Sequence, residues 1–73
     1  MEKKNIGDAV TFYDSYKVKH PALVTNVFSA TCVNLVFVSE DDNKKDDYGR
    51  QLERHTSVSH ISVHGGSVGM CWE

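Results

Sequence analysis

The sequence predicts an all-β fold, a small barrel of five short strands, and three observations lead there. Two runs rich in β-branched and aromatic residues, Pro21-Ala22-Leu23-Val24-Thr25-Asn26-Val27-Phe28 and Thr31-Cys32-Val33-Asn34-Leu35-Val36-Phe37-Val38, flank the pair Ser29-Ala30. A connection of that length fits a β-hairpin, although Ser-Ala is not a favoured primed-turn pair. Ala9-Val10-Thr11-Phe12-Tyr13 alternates apolar and polar positions with the period of two of a half-buried strand. No segment carries an adequate helical stripe, and no internal repeat or domain boundary is visible, so residues 1–73 read as one domain.

Taken in order, Ala9–Tyr13 is the first strand, and the polar stretch Asp14-Ser15-Tyr16-Lys17-Val18-Lys19-His20 is a loop. Pro21 opens the second strand, where a missing N–H costs least. In the third strand Val33, Leu35 and Phe37 share one face and Cys32, Asn34, Val36 and Val38 the other. Both faces are largely apolar, as in a central strand or one covered by a loop or a partner. Residues 39–52, with Asp41-Asp42-Asn43-Lys44-Lys45-Asp46-Asp47 at their centre, read as a solvated acidic loop. Thr56-Ser57-Val58-Ser59-His60-Ile61-Ser62-Val63 resumes strand character with a phase shift that predicts a bulge or bend near His60. Gly65-Gly66 turns the chain into a last strand over Ser67–Trp72. The expected core is Val10, Phe12, Val24, Val33, Leu35, Phe37 and Val58, with Trp72 beside it.

Composition bounds the function. A chain of 73 residues with a formal charge of −2 is a poor generic nucleic-acid binder, because such affinity comes from clustered cations and the eight Lys and Arg are dispersed. No apolar run approaches the roughly 20 residues that a spanning helix needs. The N-terminal segment lacks the apolar core of a signal peptide, and two cysteines, Cys32 and Cys71, suit a reducing cytoplasm better than a disulfide framework.

Candidate chemistry is sparse. His55, His60, His64 and Cys71 are of zinc-ligand type, but on one extended strand His60 and His64 stand roughly 13 Å apart, and neither Cys-x-x-Cys nor His-Glu-x-x-His occurs. Read as a calcium loop from Asp41, the fifth position is Lys45 and the sixth Asp46, which breaks the pattern. Ser57 or Ser59 beside His60 lacks a nucleophile elbow, and adjacent strand residues face opposite ways. Neither a catalytic residue, a metal nor a cofactor is assigned. Tyr13, Tyr16 and Tyr48 are candidate contact residues, since small barrels bind through loop aromatics. Val36 and Val38 on the second face of the third strand, and the loop carboxylates of Asp41, Asp42, Asp46 and Asp47, complete that contact surface.

Five segments in order, Gly7-Asp8-Ala9-Val10, Pro21-Ala22-Leu23-Val24-Thr25, Val33-Asn34-Leu35-Val36-Phe37, Thr56-Ser57-Val58-Ser59-His60 and Trp72-Glu73, together resemble a family of small phage and prophage proteins with SH3-like barrels. The family's closing motif departs here to Gly66-Ser67-Val68-Gly69-Met70-Cys71-Trp72-Glu73, with a single tryptophan and no histidine. The resemblance implies a five-stranded SH3-like β-barrel of bacteriophage origin and carries no established activity. The expectation is a non-enzymatic accessory protein attached to the virion that works through protein–protein contacts, in the virion or the host cytoplasm. The alternatives are an early inhibitor or sequestering protein acting on a host enzyme or signal, and a weak nucleic-acid-binding barrel. One barrel interior is too small for both faces of the third strand, so a homo-oligomer or docking onto a larger assembly is expected.

Overall fold

A computed structural model describes residues 3–64 and 70–73. Five strands, β1 (Ala9–Tyr13), β2 (Lys19–Val27), β3 (Cys32–Val38), β6 (Leu52–Ser59) and β7 (Cys71–Trp72), form one sheet in the order β6-β3-β2-β1-β7. It is a meander whose last strand returns to the first. The sheet is antiparallel and curls into a half-barrel, closed by a parallel bridge between His60 and Trp72. Between β3 and β6 the chain makes a two-stranded ribbon, β4 (Lys45–Asp46) and β5 (Gly49–Arg50), and a single helical turn, α1 (Ile61–His64), precedes β7.

Alternation decides the core. Val10 and Phe12 on β1, Ala22 and Val24 on β2, Val33, Leu35 and Phe37 on β3, and Val58 on β6 all point to the concave side with Trp72. All seven expected core residues are buried there. The Trp72 indole N–H donates to the carbonyls of Val58 (3.1 Å) and Thr31 (3.3 Å), so its polar edge is satisfied inside the core. Cys32 and Cys71 are free thiols.

The boundaries differ from the sequence reading in physically instructive ways. β2 starts two residues early, at Lys19, with Pro21 inside it. The Val24 N–H bonds the Asp8 carbonyl on the β1 side, so alternation aims the Pro21 nitrogen toward β3, whose ladder ends at Ala22–Phe37. The missing donor therefore has no partner to disappoint. The β2–β3 turn is wider than the two residues Ser29-Ala30, because the N–H groups of Phe28 and Ser29 both bond the Cys32 carbonyl. The expected irregularity near His60 lies earlier, where the β3–β6 register shifts between Val33 and Leu35. Thr56 and Ser57 stand there opposite Asn34 alone, Ser57 takes φ 53°, and its N–H is caught by the Asn34 side chain at 2.9 Å. The strand expected through Val63 ends at Ser59 and gives way to α1. The His60 Nδ1 accepts the Ser62 N–H (3.0 Å) and lies 2.7 Å from its hydroxyl, so this Ser–His pair serves as a cap on that turn. The Gly65-Gly66 turn and most of the expected strand Ser67–Trp72 lie outside the described residues; β7 comprises Cys71–Trp72.

The acidic stretch is an ordered ribbon rather than an open loop. Asp46 pairs with Gly49 across the turn, the Asp46 carboxylate accepts the Tyr48 N–H at 2.8 Å, and Gly49 supplies the φ of 114° that closes it.

Candidate functional site

The described residues offer two surfaces, one on each side of the sheet. On the concave side, a cleft of about 340 Å³ opens where the β1–β2 loop, the end of β3 and the start of β6 meet. Its floor is made of rings. His20 on β2 stands opposite Phe12 on β1, and its imidazole stacks on Phe37 with centroids 4.5 Å apart. His55, opposite Leu35, stacks on Phe12 at 4.8 Å and lies nearly parallel to Phe37 at 5.5 Å. Phe12 and Phe37 stack at 5.1 Å.

Loop carboxylates wall this floor. Asp14 Oδ1 accepts the N–H groups of Tyr16 (2.8 Å) and Val18 (3.0 Å), folding residues 14–18 into a tight loop with Lys17 at φ 66°. Its Oδ2 lies 2.9 Å from His20 Nε2. The hydrogen bond from His20, with the Val18 and Tyr16 amides behind it, holds the Asp14 carboxyl below the usual carboxylate range. An anionic acceptor there assigns the His20 proton to Nε2. On the far side, the buried Ser39 hydroxyl and then the Lys44 ammonium, 3.1 Å away, hold Glu53 low as well. Ser39 Oγ also accepts the Asp41 N–H at 3.2 Å, which fixes the start of the ribbon over the cleft. Glu40 closes the wall, its Oε1 3.5 Å from His20 Nδ1.

The convex side presents the opposite chemistry. Ala9, Pro21, Leu23, Val36, Val38 and Leu52 line a groove of about 260 Å³. Cross-strand register sets them side by side: Ala9 faces Leu23, Leu23 faces Val36, and Val38 faces Leu52. Leu23, Val38 and Leu52 are 51%, 54% and 60% exposed. The ribbon does not cover this face.

The contact surface expected from the sequence is thus divided among three places. Val36 and Val38 lie on the convex face, extended by Leu23 and Leu52. Tyr13, on the same strand face as Ala9, donates its hydroxyl to Glu73 at 2.9 Å, and the Lys19 ammonium sits 5.8 Å from its ring. Tyr16 and Asp41 stand at the cleft, while Tyr48, Asp46 and Asp47 are exposed on the ribbon. Asp42 is drawn into pairs with Arg50 (2.8 Å) and Lys45 (3.6 Å). Of the suspected metal ligands, His55 belongs to the ring floor and His60 meets Trp72 edge-on at 4.6 Å, so they serve different regions. Among the described residues no three His, Cys, Asp or Glu side chains converge on a point that could hold a metal ion.

Sequence reasoning missed His20, Asp14, Glu40 and Glu53. His20 was legible, since it is in phase with Ala22 and Val24, but reading Pro21 as the strand's first residue left it in the loop. Comparison with family models, curated proteins and solved structures finds no match. Among the described residues no helix is long and apolar enough to cross a membrane.

Proposed function

We propose that this chain is a non-enzymatic protein-interaction module, a virion-attached bacteriophage accessory protein whose convex sheet face is its contact surface. The observation that carries the reading is the uncovered apolar row of Leu23, Val36, Val38 and Leu52, on a domain too small to bury it. The occupant favoured is a second copy of this chain, because self-association also relieves the marginal stability of so short a domain. The phage assignment is supported by the ordered resemblance of five segments from Gly7-Asp8-Ala9-Val10 to Trp72-Glu73. The finer reading of the half-barrel as SH3-like is supported by the meander order with the last strand back beside β1 and by the helical turn before it. Mass spectrometry of purified virions tests the assignment: the chain is expected in particles, and its absence from particles when infected cells contain it overturns the virion role.

An early inhibitor or sequestering protein acting on a host enzyme is the second reading, favoured by the carboxylate-walled cleft. Pull-down of one host protein together with early expression supports it; late expression alongside structural genes removes it.

A further inference from the structure

His20 leaves the concave cleft one hydrogen-bond donor short. Its side chain is 8% exposed, its Nε2 proton is committed to Asp14, and Nδ1 is a buried atom with no hydrogen-bond partner. With the proton on Nε2, Nδ1 presents a lone pair, and what faces it at 3.5 Å is another acceptor, Glu40 Oε1. Two acceptors turned toward each other in a partly dry site repel, and an unpaired buried nitrogen is costly. Asp14 and Glu53 already have partners, whereas Glu40 is 67% exposed and free to swing, with Asp41 next to it at the mouth. The complement to this arrangement is a cation that brings several N–H donors at once.

We propose that the cleft is a receptor for the guanidinium group of an arginine side chain on a protein partner. This rests on the interaction-module reading and adds a partner class to it. A guanidinium matches the site on three counts. Its donor fork can serve Glu40, Asp41 and the orphaned Nδ1 together once Glu40 turns aside. Its flat, weakly hydrated face suits the stacked rings of Phe37 and His55 beside it. Tyr16, 86% exposed at the rim, offers a further ring to close over it. A metal ion is the poorer fit, as no three ligands converge among the described residues.

The test is NMR on the full chain, with blocked arginine amide as the probe and blocked citrulline, lysine amide and spermidine as arms. Arginine is expected to produce saturable shifts confined to Tyr16, His20, Phe37, Glu40, Asp41 and His55, and citrulline none. Glu40→Gln, a substitution at an exposed side chain that leaves the core intact, should weaken the arginine response about tenfold or more, while Asp46→Asn on the ribbon leaves it unchanged. Absence of a saturable arginine response overturns the proposal, as does an equal loss in the ribbon variant. Lysine binding as well as arginine overturns the guanidinium assignment, and tighter binding of spermidine overturns the side-chain source. A ¹⁵N spectrum of the imidazole reads the tautomer directly: a lone pair on Nδ1 is expected, and a proton on Nδ1 removes the missing donor on which the site depends. Failure here leaves the convex-face reading standing, since that face is tested by virion composition and association state.

Discussion

The two sides of the sheet are made by the same alternating strands, yet they treat their side chains in opposite ways. At the cleft end of the concave side nearly every polar group has a named partner: Asp14 takes three donors, Glu53 takes two, and the hydroxyl of buried Ser39 joins Glu53 to the Asp41 amide. Among the described residues, the buried side-chain polar atom left without a partner is His20 Nδ1. On the convex side Leu23, Val38 and Leu52 are half or more exposed around a partly buried Val36. Burial demands specific pairing for polar atoms, whereas apolar atoms lose only non-directional free energy when left in water. The concave end is therefore built on directional polar pairing, whereas the convex face offers non-directional apolar surface.

The sharpest way to break this comparison is to replace one leucine on each side. Leu35→Ala, inside the core, should cost about 2–5 kcal/mol in chemical denaturation. Leu23→Lys, on the convex face, should change monomer stability by no more than about 0.5 kcal/mol and abolish self-association in sedimentation at micromolar concentration. Equal destabilisation by the two would show that the convex face belongs to the fold, and a wild-type chain that is strictly monomeric would remove the second copy as its occupant.

A second prediction sharpens the concave side through pH. Asp14 titrates lower in the folded than in the unfolded chain, so its contribution is fully present above the ordinary carboxylate value of 3.8 and is lost as pH falls through the depressed folded value. Glu53, also depressed, acts in the same direction from its ordinary 4.5. Acid unfolding followed by tryptophan fluorescence should accordingly steepen below about pH 4.5. Asp14→Asn should flatten that limb while lowering stability at neutral pH, because the amide replaces an ionic acceptor of three hydrogen bonds. An unchanged acid limb in the variant would mean that the Asp14–His20 link carries no stability.

How much of this was legible beforehand follows the physical range of each signal. Val10, Phe12, Val24, Val33, Leu35 and Phe37 were readable because a period of two is local and repeated along each strand. The ribbon was not, since Lys45–Asp46 and Gly49–Arg50 pair without one apolar side chain and are held by ion pairs and an Asx turn. The bulge at Thr56 and Ser57 depends on Asn34, a partner 23 residues away from Ser57, and no local pattern reports it. The cleft was the hardest to see. Asp14, His20, Glu40, Glu53 and His55 come from the β1–β2 loop, the ribbon's base and two strands, and only the sheet order brings them together.

Intermediate in size is the ribbon itself. Arg50→Ala removes a pair with Asp42, a side chain 79% exposed, so the loss should stay below about 1 kcal/mol and shrink further in salt. A larger loss in thermal melts would mean that the ribbon also braces the cleft through Ser39 and Glu53.

The smallest expected effect tests whether the rim of the convex face is ordered. The Tyr13 hydroxyl donates to the Glu73 carboxylate, and that bond is the main reason the phenol titrates above its ordinary 10.0, with desolvation and the charge of Glu73 adding to it. Because the folded value is raised, the stabilisation is complete below pH 10 and is lost as pH climbs through the folded value, so it leaves neutral stability untouched in slope. Tyr13 therefore contributes a late component to a tyrosinate absorbance titration. Glu73→Gln should pull that component back toward the ordinary 10.0. If the variant leaves the titration unchanged, the Glu73 carboxylate does not hold Tyr13, only the backbone bonds between Glu73 and Thr11 tie that residue to β1, and the convex face ends at Ala9 and Pro21 rather than at an ordered aromatic rim.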